Sequence, residues 1–153
     1  MVEELLEALR ARGWTVTAAE SCTGGMVAAA ITDVAGSSDV FERGFVTYSN
    51  GAKEEMLGVR AETLDAHGAV SEPVAREMAE GALRAARAEL SIAISGIAGP
   101  GGSEHKPEGR VCFALAAKGD ISSETVEFGA LGRRQVREAA RDHALRRLLE
   151  ALS

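Results

Sequence analysis

The chain has 153 residues, 17 of them basic and 23 acidic, for a formal charge of −6. That balance argues against a nucleic-acid partner, whose phosphates need a concentrated basic face. No stretch approaches the roughly 18 consecutive apolar residues of a membrane span. The length suits one domain, residues 1–153, with a core that needs no staples. Hydrophobic residues make up 46% and aromatic residues only 4%, and there are 17 glycines. Such a composition favours close packing of helices on a sheet over an aromatic binding surface. The acidity is spread along the chain and reads as solubility. It leaves room for a small anionic ligand held by one arginine and a few backbone N–H groups. Cys22 and Cys112 stand in apolar surroundings, outside any C-x-x-C pair, as buried thiols of a reducing compartment do. The first residues, MVEELLEALRARG, have no apolar signal core. A cytoplasmic protein is the expectation.

In chain order, residues 2–12 carry Val2, Leu5, Leu6 and Leu9 at helical spacing, and Gly13 ends that helix. Residues 14–19 read as a short strand, 20–25 as a turn, and Met26 to Asp33 as a helix. Residues 43–49 read as a second strand. Asn50-Gly51 signals a turn before a short helix through Lys53, Met56 and Leu57. Ser71-Glu72-Pro73 opens a helix that extends to about Ala88, with a cap residue, an acid and a harmless proline in order. Residues 90–95, LSIAIS, form the continuous apolar run of a buried central strand. A loop rich in glycine and proline fills 96–109. Strands at 110–117 and 121–128 flank a hairpin at Lys118-Gly119-Asp120. Gln135 to Leu152 is an amphipathic helix. The sum is an α/β fold: a mixed sheet of about five strands with helices on both faces. Ligands of such sheets sit beyond the carboxyl ends of the strands.

Four segments carry unusual chemistry. Ser21 lies on a strand-to-helix turn followed by Cys22, Thr23, Gly24 and Gly25. Such a turn projects a hydroxyl into a cleft and aims helix-start N–H groups at an oxyanion, although Ser21 or Thr23 equally suits a helix cap. Tyr48, Asn50 and Lys53 lie in the second segment. A desolvated, neutral lysine is a known base for a serine nucleophile, and a tyrosine can relay its protons; a solvated lysine and a packing tyrosine are the plain alternative. The third runs from Ser95 and Gly96 through Ala98, Gly99 and Pro100. A glycine-rich loop after a buried strand can direct several N–H groups at an anion, or serve as a flexible connection. The fourth, Gly132 to Arg137, brings arginines to a helix start, where one can reach a phosphate while the others stay in solvent. Glu104, His105 and Glu108 are a weaker cation candidate. His67 with Asp65 is a weaker triad candidate, since both are expected to face solvent.

Together these segments resemble the C-terminal domain of the competence/damage-inducible protein CinA, the nicotinamide-nucleotide amidohydrolase family. The matching stretches are Ala19 to Gly25, Tyr48-Ser49-Asn50 with Lys53, Leu57-Gly58-Val59, His67 to Glu72, Ser95 to Pro100, and Lys106-Pro107 with Gly109. The resemblance spans about residues 3–150. It implies a three-layer α/β/α sandwich that commonly dimerises. The implied reaction hydrolyses the carboxamide of nicotinamide mononucleotide to nicotinate mononucleotide and ammonia, without metal or cofactor. By resemblance Ser21 is the nucleophile, Lys53 its base and Tyr48 a partner in proton transfer. Glu20, Thr23, Gly24, Gly25, Asn50, Ser95, Gly96, Ala98, Gly99 and Arg134 then fall in the substrate site. Many relatives carry a preceding domain that these 153 residues do not contain. Two departures stand out: the loop at Pro100-Gly101-Gly102 is one residue short, and Gly132-Arg133-Arg134 replaces Gly-Asp-Arg. The implied partners are a small nucleotide and a second copy of the chain, as a homodimer or higher homo-oligomer. A nucleotide-binding module without turnover, and an amidase for another small amide, remain alternative readings.

Overall fold

The structure is a computed structural model and describes residues 1–153. In chain order it comprises α1 (Val2–Arg12), β1 (Val16–Glu20), α2 (Met26–Thr32), β2 (Phe45–Val46), α3 (Asn50–Leu57), α4 (Ala61–His67), α5 (Glu72–Ala86), β3 (Leu90–Gly96), β4 (Arg110–Ala117), β5 (Asp120–Glu127) and α6 (Arg133–Glu150). The five strands form one sheet in the order β2-β1-β3-β4-β5. β1 is parallel to both β2 and β3, whereas β3, β4 and β5 run antiparallel in turn. The mixed sheet with helices on both faces is the expected α/β/α architecture.

Strand alternation sorts side chains between two cores. Leu90, Ile92 and Ile94 of β3, with Val111 and Phe113 of β4, face α1, α2 and α6. Ala93 of β3, with Cys112, Ala114 and Ala116 of β4, faces α5. The first face is filled by large residues and the second by small ones. α5 presents Ala75, Ala79 and Ala82 to that second face, so its backbone comes close to the sheet.

Local signals explain most boundaries. Gly13 ends α1 in a left-handed conformation. Ser71 caps α5 by accepting from Val74 N–H, with proline in the first turn. Ser49 caps α3 by accepting from Ala52 N–H at 3.0 Å. The 118–119 hairpin is tighter than expected, because Asp120 already pairs with Ala117. Two expectations need correcting. The strand expected over 43–49 shrinks to Phe45–Val46, an edge strand paired only with the end of β1. The segment expected as a link around Asp65 and His67 folds as α4, with Leu64 buried against α5.

Gly81 in the middle of α5 is a departure from helix propensity with a packing reason. A Cβ there would stand 1.9 Å from the Leu57 carbonyl oxygen. The last turn of α3 therefore lies directly on the α5 backbone. Replacing Gly81 with alanine gains about 1 kcal/mol of helix propensity but forces the two helices apart, at about 1–3 kcal/mol for overpacking. Gly81→Ala is expected to lower the thermal midpoint by up to roughly 8 °C. A raised midpoint in a thermal melt would mean that α3 is free to step aside.

Candidate active site

β1 and β3 are parallel neighbours whose onward connections leave toward opposite edges of the sheet. Their carboxyl ends open a crevice, as expected at such a reversal. A cleft of about 360 Å³ lies there, within the usual range of small-molecule sites. Ser21, from the end of β1, and Ser95, near the end of β3, line it together with Lys53 of α3. The 96–104 loop forms one wall, Tyr48 and Asn50 lie on another, and Arg133 of α6 reaches in.

Lys53 is only 1% exposed. Its Nζ lies 3.1 Å from Ser21 Oγ and donates to the Thr47 carbonyl at 2.9 Å. Burial holds its pKa below the ordinary value of 10.5. The partner count agrees. An ammonium has three donors and would leave one orphaned in this pocket. A neutral amine has two donors and a lone pair, so one N–H satisfies Thr47 and the lone pair can face the Ser21 hydroxyl. Lys53 is fixed by its helix, which is capped by Ser49 at one end and seated on Gly81 at the other.

The turn that presents Ser21 is braced from behind. Ser21 N–H donates to the Ile94 carbonyl at 2.9 Å, and Thr47 N–H donates to the Glu20 carbonyl at 2.8 Å. The Glu20 carboxylate is 1% exposed and accepts from Thr23 Oγ1 and from the N–H groups of Gly25, Val27 and Ala28. Its charge meets the positive end of α2. Glu20, Thr23, Gly24 and Gly25 therefore sit behind Ser21 and do not line the cleft, contrary to expectation. The N–H groups expected to be free around Ser21 to Gly25 are also fewer. Gly24 N–H donates to the Ser21 carbonyl and Gly25 N–H to Glu20, which leaves those of Cys22 and Thr23 unpaired. The Cys22 thiol lines the cleft, but burial pushes its pKa up to about 12, so it stays protonated at neutral pH.

Arg133 spans the mouth. Its guanidinium donates to the Gly99 carbonyl at 2.6 Å and to the Tyr48 hydroxyl at 2.7 Å. Tyr48 is 60% exposed, and its hydroxyl engages Arg133 rather than Ser21 or Lys53. Arg134, expected in the site, points away and pairs with Glu138 at 3.5 Å. The two residues are one helical step apart, and a rotation of about 100° separates the cleft from solvent. Ser95 Oγ donates to the Ala69 carbonyl at 2.8 Å, tying β3 to the segment before α5. The 96–109 loop is strapped down as well. Glu108 accepts from Gly101 N–H and Gly132 N–H, and Lys106 donates to the carbonyls of His67 and Val70. Glu104 and Glu108 thus face different partners, Lys106 and these amides, rather than one cation. Asp65 and His67 lie on the exposed side of α4, as expected.

The depressed pKa of Lys53 has a linked effect on folding. Between that lowered value and the ordinary 10.5, the unfolded chain holds a proton that the folded chain has released. Stability therefore rises with pH across that window. Compared with Lys53→Met, the wild-type unfolding free energy is expected to be flat at lower pH and to gain steadily up to about pH 10. Parallel denaturant titrations measure this; a difference that falls with pH would place a charged amine in the folded site.

Residues 1–152 match the CinA C-terminal domain family. The nicotinamide-nucleotide amidohydrolase PncC of Escherichia coli strain K12 is 61% identical over 148 residues, covering 95% of this chain and 89% of that protein. A CinA-like protein of Syntrophobacter fumaroxidans is 51% identical over 148 residues, and there the chain spans only 35% of the relative's length. The CinA superfamily protein of Klebsiella pneumoniae 700603 superposes with a TM-score of 0.95 at 43% identity, covering 99% of this chain and 94% of that one. A competence or damage-inducible protein of Enterobacter asburiae gives a TM-score of 0.96 at 39% identity, covering 99% and 96%. With its topology, its Ser21–Lys53 pair and these matches in agreement, the chain belongs to the CinA C-terminal domain family.

Proposed function

We propose that this chain hydrolyses the carboxamide of nicotinamide mononucleotide to nicotinate mononucleotide and ammonia, with Ser21 as nucleophile and Lys53 as its base. The observation that carries the reading is the Lys53 amine, 1% exposed and with its pKa lowered by burial, 3.1 Å from the Ser21 hydroxyl. The name of the 61% identical relative supports the substrate.

The chemistry balances without a further reactant beyond water. Lys53 takes the Ser21 proton as Oγ bonds to the carboxamide carbon. The carbonyl π electrons move to oxygen, and the unpaired N–H of Cys22, which lines the cleft, is our choice of donor for that oxyanion. The oxyanion collapses, the C–N bond breaks, and Lys53 returns its proton to the leaving nitrogen, which departs as ammonia. Water then gives a proton to Lys53 and attacks the acyl-enzyme. Carboxylate forms, and Ser21 recovers its proton.

Arg133, not Arg134, is the arginine we assign to the phosphate, since it and Lys53 are the cations on the cleft wall. Asn50, Ser95, Gly96, Ala98 and Gly99 line the space between and remain our choice for the remaining substrate contacts. Tyr48 supports Arg133 in this pose; the relay role expected of it requires the hydroxyl to leave Arg133 and turn inward. A homodimer belongs to the same reading, because Val46, Tyr48 and Met56 are 47%, 60% and 45% exposed around the short edge strand β2. No helix is long and apolar enough to cross a membrane, and a cytoplasmic site of action stays part of the proposal.

Purified protein is expected to release ammonia from nicotinamide mononucleotide, and Ser21→Ala to lower kcat by at least about 10³-fold. Equal release by both proteins removes Ser21 as nucleophile. Arg133→Leu should lower kcat/KM for the mononucleotide by roughly 10- to 100-fold, as hydrogen bonds to charged groups contribute about 1.5–3 kcal/mol. The unphosphorylated riboside should be turned over by Arg133→Leu and wild type alike. An equal loss on both substrates would assign Arg133 to holding the loop. Light scattering in solution tests the dimer, with a monomer as the contrary result.

A further inference from the structure

Arg137 lies one turn along α6 from Arg133, and its guanidinium faces the Ser21 turn from the side away from the cleft. Its Nε donates to the Cys22 carbonyl at 3.0 Å and its Nη2 to the Thr23 carbonyl at 3.3 Å. Its neighbours on the helix spend their charge on carboxylates, Arg134 on Glu138 and Arg141 on Asp142. Arg137 forms no ion pair and gives its charge to backbone carbonyls alone. Gly24 leaves room for this approach, since a Cβ there would stand 3.3 Å from Arg137 Nη2.

The peptide planes carry the effect onward. In a trans peptide the carbonyl and the N–H point in opposite directions. The plane that ends at the Cys22 carbonyl, held by Arg137, begins at Thr23 N–H. The plane that ends at the Thr23 carbonyl, also held by Arg137, begins at Gly24 N–H. That N–H donates to the Ser21 carbonyl at 3.1 Å, and the plane of the Ser21 carbonyl begins at Cys22 N–H. Two chains of polarised amides therefore start at one guanidinium and finish at the N–H groups of Thr23 and Cys22. Those are the two N–H groups of the turn without a partner in the fold, although Thr23 is fully buried and Cys22 is 4% exposed. Unpaired buried N–H groups are rare; of these two, that of Cys22, next to the nucleophile, belongs to a residue that lines the cleft and reads as kept open for a transient acceptor, whereas Thr23 lies behind it. Hydrogen bonds in such chains strengthen one another by roughly 10–30% per bond, and here the first donor is a permanent cation.

We propose that Arg137 is a positioning residue that holds the peptide planes of the turn and polarises the N–H of Cys22, the cleft-lining residue among them, for the oxyanion formed on attack by Ser21. The proposal rests on the serine acyl-transfer reading above. It does not depend on which amide is the substrate. The effect is confined to the charge-developing state, so it is read in kcat.

Arg137→Met, which keeps the length and apolar stem, is expected to lower kcat by roughly 10- to 100-fold. That is less than the 10²–10³-fold cost of deleting an oxyanion donor outright, because the N–H groups remain. KM should stay within about 3-fold, and Arg137→Lys should fall between Met and wild type. In Arg137→Ala, guanidinium at tens of millimolar should restore part of kcat while urea does not, a response that a purely structural role would not give. If the Met variant fails to fold, the Lys variant and the guanidinium response decide the matter. Wild-type kcat in a folded Met or Lys variant, or no guanidinium rescue of a folded Ala variant, overturns the proposal. A fluorophosphonate separates it from the substrate assignment. The probe bonds phosphorus to Ser21 Oγ, expels fluoride, passes the serine proton to Lys53 and builds negative charge on the phosphoryl oxygen. Labelling of wild type with at least 10-fold slower labelling of Arg137→Met supports the proposal even if no ammonia comes from nicotinamide mononucleotide. Equal labelling rates overturn it even if the amidase reading stands. A wild-type protein that neither labels nor turns over sinks both.

Discussion

An amine kept out of water beside an alcohol is the constraint on which the rest of this structure depends. In the proposed reaction Lys53 can act on Ser21 as a base only while it is neutral, and burial favours that form by lowering its pKa. The pocket needs a helix at a fixed height above the end of β1. The height is set by a cap at Ser49 and by backbone contact at Gly81. The alcohol in turn needs a strand end that cannot shift. Glu20 has its carbonyl tied to β2-side backbone and its carboxylate tied to the first turn of α2. Ser21 and Lys53 thus come from the end of β1 and from α3, and the sheet and α5 bring the two into register.

Carboxylates near the cleft act as fasteners rather than as acids or bases. Glu20 is consumed by three backbone N–H groups and one hydroxyl. Glu108 joins the glycine-rich loop to the start of α6. Glu104 is the carboxylate on the cleft wall, 3.9 Å from Lys106, and the rest of the cleft presents the Lys53 amine, an arginine and a set of amides. Such a surface suits a ligand with a neutral reacting end and an anionic far end. The loop that would be slack by composition is held at both ends, by Glu108 and by Lys106 on the 67–70 segment, and Arg133 pins its Gly99 carbonyl.

Much of this was legible in the chain itself, and the misses have physical causes. Ser21 and Lys53 stand out because each follows a strand expected from the sequence; the first junction is as expected, whereas the strand before Lys53 is only Phe45–Val46 and Lys53 lies inside α3. Arg134 follows from the resemblance, which puts the family's Gly-Asp-Arg arginine there; only the phase of a helix separates it from Arg133, and phase is settled by which residues, here Val136 and Ala140, are driven into the core. Glu20 likewise enters the substrate set through the resemblance. Its true partners are amides five to eight positions ahead, visible only once the turn has closed. The helix at Ala61–His67 has no side chain of its own N-cap residue to cap it and is held instead from α5, by the burial of Leu64 and by Glu77, which accepts from Arg60 N–H and Thr63 Oγ1. Tyr48 reads as a relay by composition, but its hydroxyl found a partner 85 positions away, and no local pattern encodes that.

The unequal filling of the two sheet faces bears on how this chain can drift over evolutionary time. On β4, Phe113 and Ala114 are adjacent, yet one belongs to a broad aliphatic interior and the other to a seam where alanine meets alanine. The aliphatic side can trade volume among several large neighbours, so lineages can exchange leucine, isoleucine and phenylalanine there in compensated sets. The seam has less to trade, because its sheet side is alanine and cysteine and its larger residues come from α5 and the flanking segments. Divergence should therefore accumulate lopsidedly, with alternate positions of the same strand wandering or standing still according to which layer they serve.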